Sequence, residues 1–151
     1  LMIKNNDPYL IEYNVRMGDP ECQVIMPRLK TDLIQLIKAS VENKLDKIRI
    51  RWRKKKCMTI VLCSKGYPNK KTLNKKINLE KVSLPKQSFI FHAGTRIKDG
   101  LLFSNGGRVL NIVVLGSSFL KIRNQIFKII RKINWRFGFF RRDIGWRVIK
   151  K

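Results

Sequence analysis

The apolar run Cys57–Cys63, seven residues broken only by Thr59, is as long as any in this chain. That is strand length, and far short of the ~18 or more apolar residues that a membrane-crossing helix needs. The apolar material is therefore spread over short elements, with one longer one. From about Ser118 to Ile133, Ile122, Ile126, Phe127, Ile130 and Ile133 recur at helical spacing, with basic residues around the other face. A buried-type strand and an amphipathic helix cover each other's apolar surface, which predicts an α+β fold. With 44% hydrophobic residues over 151 positions there is material for a core. A chain of this length buries roughly two thirds of its unfolded surface, enough for one domain or two small ones.

Charge divides the chain unevenly. There are 34 Lys+Arg against 10 Asp+Glu, a formal +24. Residues 1–26 carry Lys4 and Arg16 against Asp7, Glu12, Asp19 and Glu21, a net of −2, and the remainder carries +26. Such an excess points to an anionic partner, nucleic acid first. Residues 47–56 place seven bases around Ile48, Ile50 and Trp52, and Trp135, Phe137, Phe139, Phe140 and Trp146 lie among arginines. That interleaving suits phosphate contact and base stacking, while a solvated basic face over core aromatics gives the same pattern. Three cysteines, an odd number, and a single histidine argue against a disulfide scaffold or zinc knuckle and fit a reducing cytoplasm. No secretory signal is visible. The chain opens Leu-Met-Ile without an initiator Met, so an upstream portion is expected.

Residues 10–16 alternate, with Ile11, Tyr13 and Val15 on one side and Glu12, Asn14 and Arg16 on the other, which predicts a strand ended by the turn Gly18-Asp19-Pro20. A helix is expected from Thr31, as N-cap, to about Asn43, with Leu33, Leu36, Ile37 and Val41 at helical spacing. Residues 47–56 read as an exposed edge strand running into a linker, with a domain boundary near position 55. Beyond it come the strand Cys57–Cys63, a turn at Gly66-Tyr67-Pro68, a Lys/Asn-rich loop over 69–78 and a strand Ser88–His92. A hairpin-like stretch over 101–115 turns at Asn105-Gly106-Gly107, residues that accept positive φ.

The polar side of the first predicted strand has a specific chemistry. A carboxylate and an amide oxygen two positions apart lie close enough to share one hard cation, and Mg²⁺ takes such oxygen ligands while keeping water and substrate phosphates in its other positions. Arg16, two residues further on, is placed to stabilise a transferring phosphoryl group. Glu12, Asn14 and Arg16 are chemically sufficient for one corner of a phosphoryl-transfer site. The solvated outer face of a half-buried sheet accounts for the same alternation.

Longer words in the chain are more specific. Tyr9-Leu-Ile-Glu-Tyr-Asn-Val-Arg-Met-Gly-Asp-Pro-Glu-Cys-Gln23 resembles the signature region of the phosphoribosylamine–glycine ligases (glycinamide ribonucleotide synthetases), ATP-grasp enzymes of purine synthesis. The resemblance continues in order through Lys65-Gly-Tyr-Pro68, Phe91-His-Ala-Gly-Thr95, Asn105-Gly-Gly-Arg-Val-Leu110 and Arg142-Asp-Ile-Gly-Trp-Arg147. It implies an ADP-forming carbon–nitrogen ligase that joins glycine to 5-phosphoribosylamine through an acyl phosphate, with ATP as co-substrate and Mg²⁺ or Mn²⁺ as metal. It further implies Glu12 and Asn14 as metal ligands and Arg16 as the residue steadying the acyl-phosphate transition state. Asp19 and Glu21 belong to the signature as substrate-binding candidates, with loop bracing as the alternative. The expected architecture is the C-terminal edge of an ATP-grasp lobe over residues 1–55, followed by a small α+β C-terminal domain over 56–151.

The remaining words read as structural. His92 is expected to pack or hydrogen-bond, Gly106-Gly107 to turn the chain, Asp143 to pair with a neighbouring arginine, and Cys22 to be a small buried residue. The resemblance covers only the C-terminal part of the family's chain and leaves out the adenine pocket and much of the phosphoribosylamine site. Met17 replaces the usual Leu or Phe, Asn69 replaces a usual Gly, and residues 69–76 have become Lys/Asn-rich. The isolated chain is therefore expected to be inactive. A basic nucleic-acid-binding protein and a degraded relic are the other readings.

Overall fold

The computed structural model describes residues 1–149. Its centre is a four-stranded antiparallel sheet built from β3 (Lys56–Ser64), β4 (Ser88–His92), β7 (Arg108–Gly116) and β8 (Gly138–Phe139), in the order β4-β7-β3-β8. Along β3, burial alternates as the period of a strand dictates: Met58, Ile60 and Leu62 are buried, while Cys57, Thr59, Val61 and Cys63 are half-buried. Strand β7 is different. Val109 to Leu115 are all buried, because α3 (Phe119–Lys132) covers one face of the sheet and α1 (Cys22–Arg28) packs against β3 and β7. A strand covered on both faces has no polar side to show.

The expected amphipathic helix is α3. Ile122, Ile126, Ile129 and Ile130 form its buried stripe and join Met58, Ile60, Leu62, Leu110, Ile112 and Val114 in one cluster. Arg131 and Lys132 in its last turn complement the negative end of the helix dipole.

Residues 101–115 do not form a hairpin. Strand β6 (Leu101–Ser104) pairs with β5 (Thr95–Lys98), while β7 pairs with β4 and β3, so 105–107 is a corner between two sheets. The tight turn lies at Asp99-Gly100, where φ is 51° and 70°, as a two-residue hairpin loop requires. Neither Gly106 nor Gly107 has positive φ. These glycines serve close approach instead: a Cβ on Gly94 would stand 2.6 Å from the Cα of Gly106, and one on Gly107 would overlap the Tyr67 ring.

The N-terminal part departs furthest from expectation. Strands β1 (Met2–Lys4) and β2 (Asp7–Tyr9) form a hairpin through Asn5-Asn6, both at positive φ. The strand expected over 10–16 is not formed: the segment has no ladder partner among the described residues, and a strand without one leaves its backbone groups to water. Both sides of it are exposed, Val15 completely. A helix not anticipated, α1, follows. The next helix, α2 (Leu33–Val41), is capped by Asp32, whose carboxylate accepts from the N–H of Ile34 and Gln35. Thr31, the expected cap, is buried and accepts from Arg51 N at 2.7 Å. Of the predicted edge strand over 47–56, Trp52 forms an isolated bridge with Leu29 and Lys56 opens β3, while the residues between and before them join no ladder among the described residues.

Two substitutions separate these effects. Ile126→Ala should cost about 2–5 kcal/mol in urea unfolding, because the residue is fully buried between helix and sheet. Gly107→Ala should cost about 1–3 kcal/mol by overpacking against Tyr67.

Candidate functional site

The irregular segment after β2 still brings two of its predicted side chains together. Asn14 Nδ2 donates to Glu12 Oε1 at 3.1 Å, both exposed. Rotating the Asn14 amide would place its oxygen where its nitrogen now stands, so the pair offers carboxylate and amide oxygens of the kind a hard cation takes. No group of three or more His, Cys, Asp and Glu suited to a metal occurs among the described residues. Any cation held here would therefore take its remaining ligands from outside this set. Arg16 turns its guanidinium to the carbonyl of its neighbour Met17, at 3.1 Å, instead of toward Glu12 or Asn14.

Asp19 and Glu21 are engaged in the loop that follows. Glu21 Oε2 accepts from Gly18 N at 3.2 Å, and Cys22 N donates to Gly18 O at 2.9 Å, which closes the entrance to α1. Gln23 Nε2 donates to Asp19 Oδ1 at 2.9 Å. The remaining partner comes from across the fold: Arg108 Nη2 pairs with Asp19 Oδ2 at 2.9 Å, and Arg108 Nη1 donates to the Asp19 carbonyl, also at 2.9 Å. Arg108 was legible only as one letter of the Asn105-Gly-Gly-Arg word. Nothing in its neighbourhood signals a partner 89 positions away.

Three of the sequence words meet beneath that arginine. Gly94 N donates to Arg108 O, Asn105 N to Gly94 O, and Ser64 N and Oγ to the carbonyls of Gly107 and Gly106. Tyr67 closes the corner against Gly107. The Lys65–Pro68, Phe91–Thr95 and Asn105–Leu110 words thus build one scaffold, and its arginine reaches the signature loop.

Of the residues expected to be structural, His92 and Asp143 make local contacts, while Cys22, expected to be buried, is only half-buried. His92 Nδ1 lies 3.1 Å from Thr95 Oγ1. Asp143 pairs with Arg141 at 2.6 Å, and that hydrogen bond holds its carboxyl below the usual carboxylate range. Cys22, Cys57 and Cys63 are free and half-buried. Burial pushes the Cys57 thiol up to about 11, against an opposing pull from the Arg28 charge, and raises Cys63 as well. Among the terminal aromatics, Trp135 is buried and Phe137 and Phe140 pack on the core. These three are core residues between arginines, whereas Phe139 and Trp146 are exposed. Arg53, Lys54 and Lys55 line an open groove of about 530 Å³ with Leu29, Gln87 and Phe89. No helix among the described residues is long and apolar enough to cross a membrane.

Residues 57–147 match the family described as phosphoribosylglycinamide synthetase, C domain. The chain is 45% identical over its full length to a phosphoribosylamine–glycine ligase of Agrobacterium fabrum, covering 36% of that protein. It is 39% identical over 98% of its length to a chloroplastic phosphoribosylamine–glycine ligase of Arabidopsis thaliana, covering 28% of it. The crystal structure of phosphoribosylamine–glycine ligase from Thermotoga maritima superposes on 94% of this chain with a TM-score of 0.72 and 32% identity, over 34% of its own length. The chain thus spans about a third of the length of the bacterial relatives.

The raised Cys57 thiol has a measurable consequence. Since the thiolate is the nucleophile, alkylation of Cys57 by iodoacetamide in the folded chain should rise about tenfold per pH unit from about pH 8 to 10. Mass spectrometry of the labelled peptide should show it slower than in the urea-unfolded chain throughout that range.

Proposed function

The chain belongs to the phosphoribosylglycinamide synthetase family through its C domain, and from that premise we propose that it is the C-terminal part of a phosphoribosylamine–glycine ligase of purine synthesis. The reaction is the ATP-dependent joining of glycine to 5-phosphoribosylamine, giving glycinamide ribonucleotide, ADP and phosphate. Glycine's carboxylate takes the γ-phosphoryl group of ATP, and the amine nitrogen of phosphoribosylamine then attacks the acyl carbon and expels phosphate. The observation that carries this reading is the pairing of Glu12 with Asn14 within the family signature, at 3.1 Å.

In this reading Glu12 and Asn14 hold Mg²⁺ or Mn²⁺, which when bound neutralises charge on the ATP phosphates. Arg16 swings from the Met17 carbonyl to the transferring phosphoryl oxygens, where its fork matches their geometry. Asp19 and Glu21 brace the loop behind these residues, supported by their bonds to Arg108, Gln23 and Gly18. Residues 1–55 are the edge of an ATP-grasp lobe and 56–151 the C-terminal domain, a division supported by the start of the family match at residue 57. The exposed Ile11, Tyr13 and Val15 are the face on which the rest of that lobe packs. The compartment in this reading is the cytoplasm, which the three free cysteines support.

Phosphoryl transfer requires all partners held in register, and one wall of a cleft does not hold them. Purified 151-residue chain given ATP, Mg²⁺, glycine and phosphoribosylamine should form no ADP above the enzyme-free control. Coupled-assay turnover that requires both glycine and phosphoribosylamine would contradict this.

A further inference from the structure

We propose that Arg108 is a positioning residue, which fixes the end of the segment carrying Glu12, Asn14 and Arg16 against the C-terminal sheet. The functional meaning of that segment rests on the reading above. The clamp itself rests on geometry.

Arg108 opens β7, opposite Cys63 in the ladder with β3. Its backbone is held by the corner in which Gly94 and Gly106 approach too closely for any side chain and Gly107 lies under Tyr67. From that fixed base its fork divides over a single residue: one nitrogen takes the Asp19 carboxylate and the other the Asp19 carbonyl, both at 2.9 Å. A two-point grip sets orientation as well as distance, which the point charge of a lysine does not do. Gln23 occupies the second carboxylate oxygen, so Asp19 cannot rotate without losing a partner. Of the four ion pairs among the described residues, the other three join residues at most four apart, and this one alone crosses the fold. Both side chains are about two-fifths exposed, so Coulomb attraction between them is screened. The contribution of Arg108 is therefore geometric, and its loss should be felt three to seven residues upstream, at Arg16, Asn14 and Glu12.

The test uses the 151-residue chain, with Arg108→Lys, Arg108→Met and Asp19→Asn, and reads two quantities by NMR. Amide exchange at Cys22, whose N–H bonds Gly18 O, reports the loop, while Ile112 in the middle of β7 reports the sheet. Paramagnetic broadening by Mn²⁺ at the Glu12 and Asn14 amides reports the metal segment. We expect Cys22 exchange to rise about tenfold in Arg108→Met and Asp19→Asn, Ile112 to stay protected, and the Mn²⁺ concentration for half-broadening to rise several-fold. Arg108→Lys should follow Arg108→Met in both. Unchanged Cys22 exchange in Arg108→Met and Asp19→Asn would overturn the clamp. A released loop with unchanged Mn²⁺ response would make Arg108 a brace only and overturn its positioning role. Absence of Mn²⁺ broadening in the parent chain would overturn the metal reading of Glu12 and Asn14, and with it the positioning role. That result is distinguishable, because Cys22 exchange would still respond to Arg108. Should Arg108→Met also deprotect Ile112, Asp19→Asn decides, because it leaves the glycine corner untouched.

Discussion

Burial of β7 on both faces is the constraint on which the other elements depend. With Val109 to Leu115 all removed from water, the strand needs a cover on each side. Helix α3 provides one with four isoleucines, and α1 contributes to the other. Because α1 comes from the first 55 residues, that part of the chain packs directly against the C-terminal sheet. The loop that opens α1 is the signature loop, so packing of the sheet and placement of the candidate site are coupled through the same short helix.

The glycine corner gives that coupling a direction. Backbone close approach at Gly94 and Gly106, and a tyrosine ring over Gly107, leave little freedom in how β7 begins. Arg108 inherits that rigidity and passes it to Asp19. Four of the five words by which the chain resembles its family thus converge at one place: the signature, Lys65–Pro68, Phe91–Thr95 and Asn105–Leu110. Upstream of that anchor lie the β1–β2 hairpin and the irregular segment 10–18, largely exposed and with Ile11, Tyr13 and Val15 facing solvent.

Elements stabilised by nearby burial were readable in advance. Strand β3 and helix α3 follow from period and composition, because each buries its own apolar stripe. Residues 10–16 show the converse: their alternation is clean, yet a ladder needs a partner, and none exists among the described residues. The Asn105-Gly-Gly corner was misread because glycine signals either positive φ or close contact, and sequence does not say which. Asp99-Gly100 was the stronger turn signal and marks the hairpin. Asp32 displaced Thr31 as cap because Thr31 is occupied by Arg51, a contact twenty positions away. The contact between Glu12 and Asn14 follows from their spacing, whereas the pairing of Arg108 with Asp19 had no local signal.

The central claim is that these residues are the working C-terminal third of a ligase, completed by lobes they lack. The most direct measurement joins the part of the Agrobacterium fabrum ligase that precedes the matching region to residues 1–151 and follows ADP release with ATP, Mg²⁺, glycine and phosphoribosylamine. The account predicts turnover that requires both glycine and phosphoribosylamine and falls at least about a hundredfold in Glu12→Gln. A folded chimera that shows no such turnover, or one in which Glu12→Gln is without effect, would contradict it.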